Sequence, residues 1–173
     1  MGWALAIEKG DISKVSVVKE ALASLAPGEV RLKVKQFALT ANNITYAAFG
    51  EVMRYWDFFP SADGSGRLPV WGFAEIAESE VEGLAPGELI YGYFPAAEEV
   101  ILQAGEVHKG SFQELSKCRS ELASAYNRYT RCAHDPGYDP SLEGAQMVLQ
   151  PLFITSFLID LHLRDIKTDG AEV

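Results

Sequence analysis

The sequence predicts a mainly β fold followed by C-terminal helices, and one segment from each region carries the prediction. Glu29–Phe37 alternates apolar with charged or polar side chains, which is the period-two pattern of a strand with one buried face. Near the end of the chain, residues 151–163 read PLFITSFLIDLHL, a largely apolar run of helical length. We expect the change from strands to helices near residue 110.

Further short segments predict additional strands. They are rich in Val, Ile, Tyr and Phe, are separated by Gly, Pro and Asp, and cover residues 14–18, 70–78, 88–94 and 98–102. The pentapeptide LAPGE precedes a predicted strand twice, at residues 25–29 and 84–88. Proline followed by glycine fills the central positions of a type II turn, because proline fixes φ and glycine accepts positive φ. The sequence thus predicts two similar turns, each leading into a strand.

Beyond residue 110 the spacing of apolar side chains becomes helical. Residues 111–114, SFQE, fit a capping box, and a helical face follows at Leu122, Ala125, Tyr126 and Tyr129. Asp139 and Pro140 are typical of a helix start, and Pro151 is expected to break or restart the helix. The final helix would then have about a dozen residues, fewer than the roughly 20 that span a bilayer. We therefore divide the chain into a β-barrel over residues 1–110 and a helical appendage over residues 111–173.

The composition is that of a globular protein whose charge disfavours polyanionic partners. The chain has 173 residues, of which 48% are hydrophobic, and its formal net charge is -9. An acidic surface repels phosphate backbones and anionic lipids, so neither nucleic acid nor a membrane is an expected partner. The first residues, MGWALAI, lack the basic leader and cleavage site of a signal peptide, which favours a cytoplasmic location.

Residue types suited to metal or nucleophilic chemistry are sparse. His108, His134 and His162 are far apart, and Cys132 is the one cysteine close to a histidine, so no metal site is predicted. The sequence has no Gly-x-Ser-x-Gly motif. Aromatic residues are instead concentrated at residues 54–60, RYWDFFP. These rings either line a concave small-molecule pocket or fill the core of the barrel, and the sequence leaves both interpretations open.

Several strings in the sequence resemble a known superfamily. Residues 30–51, VRLKVKQFALTANNITYAAFGE, and residues 68–95, LPVWGFAEIAESEVEGLAPGELIYGYFP, are similar to the GroES-like domain of medium-chain dehydrogenases/reductases of the quinone oxidoreductase and enoyl reductase type. The combination of ANNITYAAFGE, PVWGFAEI, YGYFP and PLFITSFLID resembles the DUF2855 family, a branch of that superfamily. The resemblance implies a GroES-like, partly open β-barrel.

The resemblance also implies site residues. In quinone oxidoreductases of this superfamily, an Asn and a Tyr after the early strand approach the nicotinamide. Tyr46 matches the Tyr, and Ala41 holds the Asn position with two asparagines directly after it. Tyr55 is similar in position to a Tyr that donates a proton in some enoyl reductases. With the neighbouring aromatic residues, the predicted site consists of the catalytic residues Tyr46 and Tyr55 and the substrate- or cofactor-facing residues Asn42, Asn43, Trp56 and Trp71.

The resemblance implies a zinc-independent enzyme that needs a second domain. Zinc-dependent relatives carry Gly-His-Glu where this chain reads GFAE over residues 72–75, and their cysteine-rich zinc lobe has no counterpart here. In the superfamily, the segment similar to residues 151–160 leads into a Rossmann domain, and this chain ends at Val173, about where that domain would begin. We therefore expect no cofactor on this chain alone, and NADPH only where a Rossmann domain is supplied.

The expected function is the substrate-side GroES-like domain of a zinc-independent, NADPH-dependent quinone or enoyl reductase-like oxidoreductase, inactive by itself. Its apolar terminal helix, with Phe153, Phe157 and Leu161, is expected to pair in a homodimer or with a separate nucleotide-binding polypeptide. The alternative is a non-catalytic binding or assembly module that oligomerises through this helix. A further alternative is a cofactor-free enzyme that uses Asp57 or Glu75 beside an aromatic pocket for a small molecule.

Overall fold

A computed structural model describes residues 2–21 and 23–168 of the chain. Most of its regular structure is β. The strands are β1 (Gly2–Glu8), β2 (Asp11–Glu20), β3 (Glu29–Phe37), β4 (Gly66–Arg67), β5 (Pro69–Ser79), β6 (Leu89–Pro95), β7 (Glu99–Gly105), β8 (Ser111–Glu114) and β9 (Arg128–Arg131). The α-helices are α1 (Ala41–Ala48) and α2 (Glu143–Thr168). Short 3-10 helices lie at Tyr55–Phe58, Lys117–Arg119, Ser124–Tyr126, Cys132–His134 and Pro140–Leu142.

The strands form a closed barrel and a small sheet beside it. The barrel has the strand order β3-β5-β6-β9-β8-β7, and the sheet has the order β2-β1-β4, with antiparallel pairing throughout. The prediction of a mainly β protein with a C-terminal helix is confirmed. The barrel is closed rather than partly open, because β7 also pairs with β8, although over just Ala104 and Gly105.

The predicted strand Glu29–Phe37 is confirmed as β3, and its alternation sets the barrel core. Val30 and Leu32 are fully buried, whereas Lys33 lies on the outer side. β3 pairs with β5 on one side and with β7 on the other, so both of its edges are satisfied. Strand β3 is therefore a central strand of the barrel with one face in its core.

Both Pro-Gly turns form as the sequence predicts. Gly28 and Gly87 have φ values of 84° and 90°, which is the region that the third position of a type II turn requires. In the first turn Glu29 N donates to Ala26 O at 3.0 Å, and the Glu29 carboxylate accepts from Ala26 N at 2.7 Å. Glu88 repeats both contacts in the second turn. Each turn thus starts its strand, β3 or β6, in a fixed direction.

The helical interpretation of residues 111–129 is wrong. Residues 111–114 form β8, which pairs with β9 in the barrel wall, so barrel strands continue past residue 110. The rings of Phe112 and Tyr129 stack with centroids 5.2 Å apart, and both side chains are fully buried. Burial of these rings and cross-strand pairing outweigh the helical spacing of the local sequence.

The terminal helix is longer than expected. Helix α2 has 26 residues and continues through Pro151, so the predicted break is wrong. Proline removes one backbone hydrogen bond, and the helix continues on both sides of it. By length and composition alone, Pro140–Arg164 could cross a membrane, with a hydropathy of 1.3 and 6% of its most apolar window buried. The expectation of a helix too short for a bilayer is therefore also wrong.

Candidate functional site

Five aromatic side chains from separate elements meet at one end of the barrel, and we call them the aromatic cluster: Tyr46, Tyr55, Trp71, Tyr93 and Tyr126. Ring centroids are 4.6 Å apart for Tyr46 and Tyr55 and for Tyr93 and Tyr126. Trp71 lies 5.2 Å from Tyr93 and 5.9 Å from Tyr126. The separations are those of favourable aromatic pairs, so the rings hold one another in place.

Helix α1 positions Tyr46 in this cluster. Its N-terminus is fixed by a capping box, in which Thr40 N donates to Asn43 Oδ1 at 2.7 Å. Asn43 is buried and also donates from Nδ2 to Pro69 O at 2.9 Å, which ties α1 to the start of β5. Because these contacts use both ends of the Asn43 amide, its role is to orient α1. Tyr46, on the next turn, is consequently held with its ring partly exposed.

The cluster contains buried polar atoms that lack hydrogen-bond partners within the described residues. Within the described residues, Tyr93 Oη and Trp71 Nε1 are buried and make no hydrogen bond. Burial raises the pKa of Tyr46, Tyr93 and Tyr126. The nearby Trp71 indole N–H partly offsets the rise in the pKa of Tyr46. Phenols are protonated at neutral pH and a raised pKa extends this to higher pH, so these hydroxyls can act as hydrogen-bond donors.

A small pocket adjoins the cluster on the side of α2. Tyr46, Asn42, Asn43 and Trp71 line it together with Ala38, Thr40, Met147, Val148 and Pro151, and none of these side chains carries a charge. Its volume of about 10 Å³ holds at most a water molecule. The first half of α2 therefore covers the exposed side of Tyr46 and Trp71.

The structure brings most of the predicted site residues together, but it places Trp56 elsewhere. Trp56 is buried in the main core, where its ring packs so closely on Gly50 and Gly66 that a Cβ at either glycine would lie under 3.0 Å from it. Tyr55 belongs to the aromatic cluster, whereas Asn42 is exposed at the rim of the small pocket. The site residues that surround the pocket are thus Asn42, Asn43, Tyr46 and Trp71.

Sequence reasoning did not nominate Tyr93 or Tyr126. Tyr93 lies on β6 opposite Trp71 in the β5 register, so the pairing of these two predicted strands could have found it. Tyr126 ends the 3-10 helix Ser124–Tyr126 and enters the cluster from a segment that the sequence predicts as a helix. No local signal in that segment indicates a contact with Trp71.

A second, larger cavity lies where β7 and β8 diverge, and we call it the β7 groove. Its volume is about 620 Å³, within the range of small-molecule sites. Beside it, Glu114 and Arg119 form a buried ion pair with Glu114 Oε2 to Arg119 Nε at 3.3 Å. Arg119 also donates to Phe58 O and lies over the Phe59 ring. Because the partners neutralise each other, this pair is a structural support of the groove wall.

The described residues contain no group of three or more His, Cys, Asp or Glu side chains that could hold a metal ion. Phe73 and Ala74, which stand where the Gly-His-Glu segment of zinc-dependent enzymes has its His and Glu, are both fully buried and offer no ligand atom. The cysteines are free, with Cys118 exposed beside the β7 groove and Cys132 buried. Burial raises the pKa of Cys132 to about 12, which makes it a poor nucleophile.

Comparisons with known proteins identify a family. The family model described as "Protein of unknown function (DUF2855)" matches residues 37–173, and no curated protein matches the chain. Among solved structures, the crystal structure of CurA from Vibrio vulnificus aligns with 11% identity and a TM-score of 0.45. The alignment covers 68% of this chain and 34% of CurA, so the chain spans about a third of that protein's length. With most of its length inside the family model, the chain belongs to the DUF2855 family.

Proposed function

We propose that this barrel is the GroES-like, substrate-side domain of a zinc-independent, NADPH-dependent oxidoreductase that reduces quinones or activated carbon-carbon double bonds. The proposal depends on the resemblance to medium-chain reductases. The observation that carries it is the convergence of Tyr46, Trp71, Asn42 and Asn43 on one uncharged pocket. Asn42, Asn43 and Tyr46 lie on α1 and Trp71 lies on β5. The resemblance nominates Tyr46 and Asn42 for the nicotinamide end of the cleft.

The chemistry of the cluster suits a neutral carbonyl substrate. Reduction of an enone or a quinone places negative charge on a carbonyl oxygen, which a buried hydrogen-bond donor stabilises. The half-buried Tyr46 hydroxyl can act as such a donor, because a phenol is protonated at neutral pH and burial raises its pKa further. The faces of Trp71 and Tyr126 add a surface on which a planar ring stacks. Tyr46 would therefore bind the carbonyl oxygen and provide the proton at its own Oη.

Access to this site requires α2 to shift. Met147, Val148 and Pro151 close the pocket to about 10 Å³, which is too small for a quinone. Beyond its first half, α2 has mainly exposed apolar side chains, so the contacts that a shift must break are those of Met147 and of Glu143, which accepts from Gln36 and Tyr138. A substrate would thus bind once the first half of α2 moves away from Trp71.

The described residues offer NADPH a surface for its nicotinamide but no cradle for its phosphates. Dinucleotide phosphates bind at a glycine-rich turn before a helix. Here α1 has its own capping side chains, and α2 follows the 3-10 helix Pro140–Leu142 directly. When bound, NADPH would supply the hydride, and a nucleotide-binding domain would hold it. At the zinc positions of related enzymes, Phe73 and Ala74 provide no ligand atom.

Quinone binding tests the substrate side without any cofactor. The titrant is 1,4-naphthoquinone, the signal is tryptophan fluorescence, and Cys118→Ser is the background because this exposed thiol would react with quinones. We expect saturable quenching, and roughly three- to tenfold weaker binding for Tyr46→Phe, the range of one lost hydrogen bond. Tyr91→Phe is the matched control, since it removes a phenolic hydroxyl from a side chain that contacts Trp71 but lies outside the pocket. Absent saturation, or equal effects of both variants, overturns the proposal.

A titration of the chain with NADPH, followed by cofactor fluorescence, tests the second part of the proposal. We expect no saturable binding, because the described residues lack a phosphate cradle. Saturable binding to the unmodified chain would contradict the assignment of the phosphates to a separate domain. This measurement is independent of the quinone titration, so each half of the proposal can fail by itself.

The second candidate function is a non-catalytic module that assembles through α2. Phe153 and Phe157 are 66% and 49% exposed, and their rings stack with centroids 6.2 Å apart. Exposed apolar surface of this kind favours association, here with a second copy of the chain. Light scattering should show a dimer that Phe153→Ser with Phe157→Ser converts to a monomer, whereas Val52→Ser, which removes an exposed apolar side chain outside α2, should leave the dimer intact. An unmodified chain that is monomeric would exclude this candidate.

A further inference from the structure

One edge of strand β7 is open along the β7 groove. On the β3 side, Val34 N donates to Glu98 O at 2.8 Å and Ala104 N donates to Gly28 O at 2.9 Å. Because backbone groups alternate in direction along an antiparallel ladder, Val100 and Leu102 also face β3. The backbone N–H and C=O groups of the residues between them, Glu99 and Ile101, therefore point toward the groove.

Strand β8 stops short of these groups. Leu115 N donates to Gln103 O at 2.8 Å, and the Glu114 side chain accepts from Gln103 N at 3.4 Å. From Ser116 the chain then turns away into the 3-10 helix Lys117–Arg119. Within residues 2–21 and 23–168, no backbone segment pairs with the open side of Glu99 and Ile101. The wall of the closed barrel thus has a gap one strand wide.

The groove beside this edge has the form of a strand-binding slot. Its floor includes Phe58, Phe59 and Leu102, all buried apolar side chains. Glu29, Glu99 and Lys117 lie at its rim, where Glu99 is 3.8 Å from Arg31 and the Glu29 carboxylate accepts from Ala26 N, while the other charges of the groove pair with one another. A volume of about 620 Å³ leaves room for several residues of extended chain.

The geometry points to a binding site for an extended peptide, which adds to β7 as a short antiparallel or parallel strand. A peptide backbone repeats its donor and acceptor about every 6.6 Å, which is the spacing of Glu99 and Ile101 along β7. One apolar side chain would enter the recess at Phe58, and basic side chains would face Glu29 and Glu99. This site lies away from the small pocket beside Tyr46 and does not depend on the proposed function.

The outer edge of β2 is a second strand edge with which the open edge of β7 can be compared. β2 is the edge strand of the small sheet, and it carries Lys14 and Lys19, the kind of side chain that discourages edge pairing. The β7 edge has no lysine next to its open groups, since its residues at 99–103 are Glu, Val, Ile, Leu and Gln. A peptide with an apolar side chain should therefore bind at the edge of β7 rather than at the edge of β2.

Nuclear magnetic resonance of the isotope-labelled chain tests the site with acetyl-Lys-Val-Phe-Val-Lys-amide. We expect shifts of the Glu99 and Ile101 amide signals and slower exchange of both protons. The matched peptide has the same side chains but N-methyl groups on both valines, which removes the pairing N–H groups, and it should bind about tenfold more weakly. Equal binding of both peptides, shifts confined to β2, or no shift of Glu99 and Ile101 up to the solubility limit would overturn the inference.

Cys118 offers a chemical block of the groove that leaves the fold intact. Its thiol is exposed and lines the groove, whereas Cys132 is buried. A bulky maleimide on Cys118 should abolish the Glu99 and Ile101 shifts, and Cys118→Ser treated with the same reagent should keep them. Unchanged peptide binding by the modified chain would show that the peptide lies elsewhere and would contradict the assignment.

Discussion

Replacing Glu114 with Gln isolates the electrostatic support of the barrel wall. The side chains of Glu114 and Arg119 are 3% and 2% exposed, and Arg119 further donates to Tyr129 Oη at 3.1 Å. Glutamine keeps the size and one acceptor oxygen of the glutamate but removes its charge. The Arg119 guanidinium then remains buried without a counter-charge.

The expected loss follows from the burial of this pair. Breaking a buried ion pair by removing one partner costs about 3 to 5 kcal/mol, a large share of the roughly 5 to 15 kcal/mol that stabilises a typical domain. Arg54 and Asp57 form the control pair, because their side chains are 46% and 45% exposed. Asp57→Asn should therefore cost no more than about 1 kcal/mol.

Urea unfolding followed by circular dichroism measures both losses as changes in the free energy of unfolding. Adding Arg119→Met to Glu114→Gln should restore part of the stability, since it removes the uncompensated charge and keeps apolar contact with Phe59. If Glu114→Gln lowers the free energy of unfolding as little as Asp57→Asn does, the buried ion pair does not stabilise the barrel wall. A double variant less stable than Glu114→Gln alone would show that the Arg119 hydrogen bonds to Phe58 O and Tyr129 Oη outweigh the uncompensated charge.

Two further substitutions test packing and ionisation. Gly92→Ala should lower the free energy of unfolding by about 1 to 3 kcal/mol, because the new Cβ would lie 2.4 Å from the Tyr129 ring; Gly10→Ala, with no atom within 4 Å, should leave it nearly unchanged in the same urea titration. The hydrogen bond from Tyr138 to Glu143 raises the pKa of Tyr138 to about 12, so its stabilising effect is complete below about pH 10 and is lost as the pH rises through 12. The phenolate absorbance of the chain minus that of Tyr138→Phe should accordingly titrate near pH 12, and a midpoint near 10 would contradict the contact.

Local patterns predict the part of the fold that depends on local physics. The period-two alternation of Glu29–Phe37 gives the bounds of β3, because one buried face is enough to specify a strand. The LAPGE turns form as expected, since Pro-Gly restricts the backbone itself and the following glutamate closes the turn. Neither feature needs information about the rest of the chain.

Elements that depend on distant partners are not predicted. Residues 111–114 have helical capping signals, yet they pair with β9 because Phe112 gains a buried contact with Tyr129. Pro151 suggests a break, yet α2 continues, since proline removes one backbone hydrogen bond from a helix of 26 residues and the remaining bonds outweigh that loss. In each case a tertiary or cumulative energy exceeds the local signal.

The sequence predicts part of the candidate site, chiefly the residues that lie close together in the chain. Tyr46, Asn42 and Asn43 are close in sequence, and the resemblance nominates them together. Tyr93 and Tyr126 enter the cluster through the closure of the barrel, which no single segment encodes. Trp56 follows Tyr55 in sequence, but consecutive residues of a 3-10 helix point in different directions, so Tyr55 packs on Tyr46 while Trp56 packs on Gly50 and Gly66.

Helix α2 links the two candidate functions, and Met147→Ala separates them. Met147 is buried where α2 covers Trp71, while the exposed Phe153 and Phe157 lie further along the same helix. If α2 is a movable cover over a substrate site, loosening its first half should strengthen naphthoquinone binding, because less packing is lost when the pocket opens. The dimer that the assembly candidate predicts would depend on the two phenylalanines and should persist in Met147→Ala. Tighter quinone binding with unchanged mass favours the reductase proposal, whereas unchanged quinone binding contradicts the cover that it requires.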